Sequence, residues 1–276
     1  MPTPRDPREV LTREAPPPDH VLRYGRHPDH VADLRLPAPG PEPVPLVVVV
    51  HGGFWRAALD RAHAGAQSQG LADAGYAVAT IEYRRVGAGG GVPATFDDVA
   101  TAVDQVPGLA AAASRVVDTG RVTLVGHSAG GHLALWAALR HRLPAASRWA
   151  RDRDPAVRGV VALGGVVDLG AARAQGLGDG AVEALVGDHD LAELDPALLP
   201  APDLPVVLVH GVDDTAVPVA IPRGYAAHAP AVHLWELEGI EHFGPIDPLS
   251  PAWPRVLQAV ELATSPATTV SHRADR

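Results

Sequence analysis

A serine flanked by glycines is the clearest chemical feature of the sequence: residues 126–130 read Gly-His-Ser-Ala-Gly, with Ser128 at the centre. The apolar run 121–125 precedes this pentapeptide and a helix-like stretch follows it, which predicts a strand-to-helix turn. Such a turn strains the serine backbone, and glycines two residues before and after it remove clashes with neighbouring backbone. This position predicts that Ser128 is a nucleophile. The alternative interpretation is that Ser128 caps the following helix in a glycine-rich turn.

A serine nucleophile needs a base, because its hydroxyl is weakly nucleophilic near neutral pH. The sequence offers His242, on a loop after the last predicted strand. It also offers Asp213 and Asp214 just beyond an earlier predicted strand, and one of these two is expected simply to shape a turn. The spacing leaves room for the strands and helices in between. Serine, carboxylate and imidazole can therefore converge at the carboxyl edge of a parallel sheet.

Acyl transfer also needs hydrogen-bond donors for the negative oxygen of the tetrahedral intermediate. Residues 51–55 read His-Gly-Gly-Phe-Trp directly after a β-branched run, and the glycines allow backbone amides to turn toward one point above the serine. We call this stretch the oxyanion loop. The expected donors are the amides of Ala129 and of Gly53 or Phe54. His51 is expected to support the loop and not to act as the base.

Apolar runs and helical stretches alternate along the chain, which predicts an α/β fold with a mostly parallel central sheet and helices on both faces. With 276 residues, 46% of them hydrophobic, the chain can bury one sizeable core. An antiparallel hairpin is expected at the sheet edge, over 20–24 and 30–36. The predicted core strands are 46–50, 77–82, 121–125, 158–163, 205–210 and 232–237. The predicted helices are 61–74, 95–113, 128–142, 181–186 and 253–263.

The sequence indicates one domain with short flanking segments. We expect a flexible N-terminal arm over 1–18, an α/β domain over 19–264 and a disordered tail over 265–276. Within the domain, 170–203 is long and polar, with several glycines and prolines. A segment of this kind is typical of a cap or lid that holds binding elements.

Composition argues against several classes of function. The net charge of −9 disfavours nucleic acid or an anionic membrane surface as a partner, since both need a basic face. No cysteine is present, so thiol nucleophiles and disulfides are excluded. The 14 histidines lack the spacing of a metal site, and no cofactor is expected. The N-terminus is unlike a signal peptide, so we expect a cytoplasmic protein that acts on a small molecule, with a homodimer as a further expectation.

The three motifs, taken together in this order, resemble those of serine hydrolases with the α/β-hydrolase fold, and the resemblance covers most of the chain. In that family the acid follows the serine and the histidine comes last. The stretch 210–218 resembles the family pattern His-Gly-x-x-Asp-x-x-Val-Pro, whose register assigns the acid to Asp214 and leaves Asp213 second. The resemblance implies a catalytic triad of Ser128, Asp214 and His242, in which the acid holds the imidazole in the correct tautomer.

Within this fold, the oxyanion loop resembles the His-Gly-Gly-aromatic-Trp loop of kynurenine formamidase-like enzymes, the arylformamidases. The chain is also similar to the hormone-sensitive-lipase branch of carboxylesterases, but departs from its motifs at Phe54 and His127. The stretches 82–85 and 93–99 are similar to both groups. The resemblance implies hydrolysis of a small ester or an N-formyl amide through an acyl-enzyme intermediate.

Four further residues are predicted to bind substrate: Trp55, Tyr83, His127 and Asp168. Three of them have structural alternatives, since Trp55 can pack in the core, Tyr83 can brace the oxyanion loop and Asp168 can be a solvated loop carboxylate. A prolyl-oligopeptidase-type peptidase, a lactonase or a carbohydrate esterase would share the fold and the triad. A hydrolase-fold protein that binds a ligand without catalysis is the alternative from another class.

Overall fold

One eight-stranded sheet runs through the computed structural model, which describes residues 6–152, 157–229 and 231–265. The strands are β1 (His20–Arg23), β2 (Val31–Arg35), β3 (Val44–Val50), β4 (Ala77–Ile81), β5 (Val117–His127), β6 (Gly159–Leu163), β7 (Val206–Gly211) and β8 (Val232–Leu237). Their order across the sheet is β1-β2-β4-β3-β5-β6-β7-β8. β2 pairs antiparallel with both β1 and β4, and every pair from β4 to β8 is parallel. The predicted hairpin and mostly parallel sheet are confirmed.

Helices cover both faces of this sheet, as the alternating pattern predicts. In the described residues they are α1 (Gly65–Asp73), α2 (Ala94–Ala113), α3 (Ala129–Ala138), α4 (Leu169–Ala174), α5 (Ala181–Val186), α6 (Ala220–His228) and α7 (Trp253–Thr264). On one face, Leu71 of α1 and Val256 of α7 pack in the core. On the other, Phe96 of α2 and Leu133 of α3 do so.

The sequence of β3 is a β-branched run because helices cover both faces of this strand. Val47 and Val49 belong to the core under α1 and α7, whereas Leu46, Val48 and Val50 belong to the core under α2 and α3. All five side chains are 0% exposed. A strand with two buried faces has no polar side, so its sequence is continuously apolar and does not alternate.

The helices α4 and α6 are absent from the predictions, and another helix begins at a different residue. The helix α6 is not predicted from the sequence because it contains Pro222 and Gly224, which are poor helix formers. Pro222 lies in its first turn, where proline is tolerated. The helix predicted over 128–142 begins one residue later, at Ala129, because the backbone of Ser128 is not helical.

The segment 170–203, which we call the cap segment, forms short helices, including α5. It rests on the loops that follow β3 and β4. The Arg56 side chain donates a hydrogen bond of 2.9 Å to the carbonyl of Asp179, and the Val92 amide donates one of 2.9 Å to the carbonyl of Leu185. The cap segment is therefore joined to the end of the sheet at which the oxyanion loop lies.

The described part of the predicted N-terminal arm is fixed to the domain. Pro7–Leu11 form a 3-10 helix, and Val10 within it is 1% exposed. Arg13 forms an ion pair with Asp247. The prediction of a flexible arm is therefore wrong for this part, because apolar burial and an ion pair attach it to the domain.

The first five residues of the predicted arm and the predicted tail beyond Ser265 lie outside the described residues. Within the part of the chain that the structure describes, no helix is both long and apolar enough to cross a membrane.

Candidate active site

Ser128 lies between the end of β5 and the start of α3, with φ 54° and ψ −119°. This left-handed backbone is strained for a residue with a Cβ. A Cβ added at Gly126 would overlap the carbonyl of Gly130, and one added at Gly130 would overlap the carbonyl of Val50. Both glycines are therefore required by close backbone approach. The Ser128 side chain makes no capping hydrogen bond to α3, so the interpretation of Ser128 as a helix cap is wrong.

The carboxylate nearest to His242 belongs to Asp214. His242 Nδ1 donates a hydrogen bond of 2.7 Å to Asp214 Oδ2. The other oxygen, Oδ1, accepts hydrogen bonds from the amides of Ala216 at 2.9 Å and Val217 at 2.7 Å. Asp213 is exposed and contributes its backbone amide to the carbonyl of Ile240. The carboxylate of Asp214 is thus held by three donors and is oriented toward the imidazole.

A glycine turn after β6 brings this pair to the serine. The amide of Ser128 donates a hydrogen bond to the carbonyl of Leu163, the residue before Gly164. Gly164 has φ +52°, and a Cβ added there would lie 3.2 Å from His242 Nδ1 and 3.3 Å from Asp214 Oδ2. The predicted serine, acid and histidine therefore lie at the same strand ends of the parallel sheet, as expected for open parallel sheets.

Two further histidines flank the pair. The ring of His127 lies 4.6 Å from that of His242, and its Nε2 donates a hydrogen bond of 3.1 Å to the His242 carbonyl. His210 Nε2 lies 2.7 Å from the carbonyl of Val217 and 3.4 Å from Asp214 Oδ2. Burial lowers the pKa of both His127 and His210, and the charge of a protonated His242 lowers both further. Two neutral rings therefore enclose the pair.

The oxyanion loop lies against the serine turn. A Cβ added at Gly52 would lie 3.1 Å from the Cβ of Ser128. Gly53, Phe54 and Trp55 have φ 110°, 50° and 57°, three successive left-handed residues. Among the described residues, the amides of Gly53 and Phe54 donate no hydrogen bond, so they are free to donate to an oxyanion. Their role as donors to the oxyanion stays a prediction.

A buried polar network supports the loop from below. His51 Nε2 lies 3.0 Å from Glu82 Oε1, and Glu82 also accepts hydrogen bonds from the amides of Tyr83 and Arg61, each 2.9 Å long. Burial raises the pKa of the Glu82 carboxyl, but these hydrogen bonds outweigh it and lower the pKa below its ordinary value. Glu82 is not among the site residues predicted from the sequence. Its position directly after β4, at a strand end, was the signal that could have indicated it.

Tyr83 belongs to this network and not to a substrate surface. It is 0% exposed, and its hydroxyl donates a hydrogen bond of 2.8 Å to the carbonyl of His51. Its ring stacks on that of His51 with the centroids 4.5 Å apart. Tyr83 thus braces the oxyanion loop, which corrects its prediction as a substrate-binding residue.

The other predicted substrate-binding residues also have structural contacts. Trp55 is 1% exposed and packs edge-on against His132. His127 is buried against His242, as described above. Asp168 Oδ1 accepts a hydrogen bond of 2.7 Å from the amide of Ala171 and so caps α4. Phe54 is half-buried and is the member of the oxyanion loop with an aromatic side chain open to solvent.

A metal centre finds no support in the described ranges: they contain no group of three or more His, Asp or Glu side chains placed to hold an ion. The polar side chains at the strand ends instead form the serine, acid and histidine arrangement. An arrangement of this kind can carry out nucleophilic attack on an acyl carbon.

Solved structures share this fold. A truncated carbohydrate esterase from gut microbiota superposes with a TM-score of 0.72 and 22% identity, over 89% of this chain and 95% of that one. Esterase B from Lactobacillus rhamnosis, inhibited by a tributyrin phosphonate, gives a TM-score of 0.73 and 19% identity over 93% and 87%. Esterase 2 from the planctomycete Thermogutta terrifontis gives 0.70 and 21% over 96% and 99%. The α/β-hydrolase fold is thereby confirmed.

Sequence comparison identifies a family. No curated protein matches the sequence significantly. The family model described as BD-FAE matches residues 32–223, which include Ser128 and Asp214 and amount to more than half of the chain. The comparisons do not single out the arylformamidase branch to which the oxyanion loop bears a resemblance. The protein belongs to the BD-FAE family and has the α/β-hydrolase fold.

Proposed function

We propose that the protein is an esterase-type serine hydrolase with Ser128 as nucleophile, His242 as base and Asp214 as the acid that orients it. The observation that carries this proposal is the strained serine turn at the same strand ends as the Asp214–His242 hydrogen bond of 2.7 Å. A strained backbone beside a histidine and carboxylate pair is costly to maintain and is typical of a catalytic site.

The reaction begins when Ser128 Oγ attacks the carbonyl carbon of the ester and His242 Nε2 takes the hydroxyl proton. The negative oxygen of the tetrahedral intermediate accepts hydrogen bonds from the amides of Ala129 and of Gly53 or Phe54. Asp214 stabilises the imidazolium, which then gives its proton to the departing alcohol. Water attacks the acyl-enzyme with His242 again as the base, and the carboxylic acid leaves with Ser128 restored.

Esters of small acyl groups are the favoured substrates. The structural relatives are described as a carbohydrate esterase, an esterase inhibited by a phosphonate and an esterase phosphonylated by sarin, which supports a phosphonate-reactive serine and an ester substrate. A second candidate is N-formyl amide hydrolysis, which the His-Gly-Gly-Phe-Trp sequence of the oxyanion loop favours.

A fluorophosphonate probe tests the reaction class. We expect the wild-type protein to be labelled and Ser128→Ala to remain unlabelled; equal labelling of the two, or none of the wild type, would refute the proposal. Side-by-side assays of p-nitrophenyl acetate, p-nitrophenyl butyrate, an acetylated xyloside and N-formylkynurenine then separate the substrates. A kcat/KM for the formamide above that of every ester would favour the second candidate.

A further inference from the structure

His127 contacts the proposed catalytic base twice. Its Nε2 donates a hydrogen bond of 3.1 Å to the backbone carbonyl of His242, and the two rings lie 4.6 Å apart. Its side chain is 3% exposed, which leaves little surface for a substrate. We propose that His127 is a positioning residue that holds the loop carrying His242. This inference rests on the proposed function, in which His242 is the base.

The hydrogen bond fixes the tautomer of His127. A carbonyl oxygen only accepts, so Nε2 carries the proton and a neutral ring has none on Nδ1. That Nδ1 is buried and has no hydrogen-bond partner among the described residues. It faces Gly52, where an added Cβ would lie 2.9 Å away. The His127 ring therefore packs between the oxyanion loop and the loop that carries His242, which we call the loop of the base.

The loop of the base depends on this contact. His242 lies in an irregular stretch between β8 and the 3-10 helix Gly244–Ile246. Within the described residues, the His242 carbonyl accepts a hydrogen bond only from His127. Without that donor a largely buried carbonyl is left unpaired, and the backbone moves to find another partner. Movement of the backbone moves the imidazole relative to Ser128.

Neutrality of His127 is part of the same role. Burial lowers its pKa well below the ordinary value, and so does the charge that His242 carries when protonated. During the proposed reaction His242 becomes an imidazolium. A neutral ring beside it supplies a hydrogen bond without opposing that charge, which a cationic side chain at 127 would do.

The test compares amide and apolar replacements. His127→Gln retains an N–H near the position of Nε2, whereas His127→Leu fills similar space without a donor. The readouts are kcat and KM for p-nitrophenyl acetate and the second-order rate of fluorophosphonate labelling. We expect His127→Leu to lower kcat and the labelling rate ~10- to 100-fold with KM changed less than ~3-fold, because a displaced base costs rate more than binding. His127→Gln should restore most of the loss.

Two controls keep the test decisive. His233→Gln, on an exposed position of β8, should match the wild type. If His127→Leu does not fold, His127→Asn replaces it, because its amide is one methylene too short to reach the His242 carbonyl. Equal losses in the Gln and Leu (or Asn) variants, or a rise in KM at constant kcat, would overturn the positioning role. A wild type that the probe does not label would instead refute the proposed function and this inference with it.

Discussion

Phe54 of the oxyanion loop and Gly178 of the cap segment are in direct contact: a Cβ added at Gly178 would lie 2.6 Å from the Phe54 ring. Both residues have a left-handed backbone, with φ 50° and +60°. The contact joins a segment that the sequence could only describe as a cap to the loop whose amides would stabilise the oxyanion. The position of those amides therefore depends on how the cap segment packs on Phe54.

Substitution of Gly178 tests this dependence. Gly178→Ala should lower kcat/KM about 10-fold, because the new methyl group pushes the Phe54 ring and displaces a donor of the oxyanion hole. Gly176→Ala is the matched control: its φ of +63° is nearly the same, but an added Cβ there meets no atom within 4 Å. The measurement is kcat/KM for p-nitrophenyl acetate, and equal losses in the two variants would show that backbone strain alone is responsible.

The two aspartates after β7 should differ sharply. Asp214→Asn removes the carboxylate that accepts a hydrogen bond from His242 Nδ1, and we expect kcat to fall about 10³- to 10⁴-fold. Asp213→Asn should leave kcat within about 3-fold of the wild type, because that side chain is exposed. Steady-state kinetics with the same ester checks both. A larger loss of kcat in Asp213→Asn than in Asp214→Asn would instead assign the role of the acid to Asp213.

Glu82 should support the oxyanion loop without touching the substrate. Glu82→Gln replaces one carboxylate oxygen, which now accepts a hydrogen bond from an N–H group, with an NH₂ group. A buried donor then loses its acceptor. We therefore expect the free energy of unfolding to fall by about 1–3 kcal/mol. Urea unfolding measures this. Rates should fall too, by about 10-fold in kcat with little change in KM. An unchanged kcat would mean that the loop holds its conformation without the carboxylate.

Stability should fall in mild acid because of buried neutral histidines. Burial lowers the pKa of His63 and of His132 to about 4. Between that value and the ordinary one of about 6.5, the unfolded chain binds more protons than the folded one, so acid favours unfolding. The contribution is fully present above pH 6.5 and is lost as the pH falls toward 4, by about 3 kcal/mol for each histidine.

Urea unfolding between pH 7 and pH 5 checks this slope. His132→Gln does not titrate but retains an amide donor for the carbonyl of Leu194, to which His132 Nε2 now donates at 2.8 Å. We expect its stability to depend less on pH than that of the wild type, by up to about 1.4 kcal/mol per pH unit. His233→Gln serves as the exposed control. Parallel slopes for His132→Gln and the wild type would contradict the prediction.

Much of the fold follows from local pattern, since continuous apolar runs mark strands covered on both faces. The serine turn and the oxyanion loop were also predictable, because close backbone approach at Gly126 and Gly130 demands glycine and leaves a legible motif. The helix α6 was not predictable, because its proline and glycine have low helix propensity and its packing against β8 is a tertiary contact.

The predicted substrate-binding residues show a different limit. Trp55 and Tyr83 stand next to site residues in the chain, but the direction of a side chain depends on tertiary packing, and both point into the core. Asp168 likewise caps a helix whose existence the sequence did not reveal. The sequence therefore predicted which loops form the site. Only the structure shows which side chains of those loops face the site and which are buried and support it.

The loop that carries His242 follows an edge strand of the sheet. Strand β8 lies at the end of the strand order and pairs only with β7 in the described chain, whereas β5, which leads into Ser128, is paired on both sides. Edge strands detach at lower free energy than central ones, so partial unfolding would separate His242 from the serine while the core stays folded. Loss of activity on heating would then precede loss of the fold, and inactivation would be reversible up to the point at which the central strands separate.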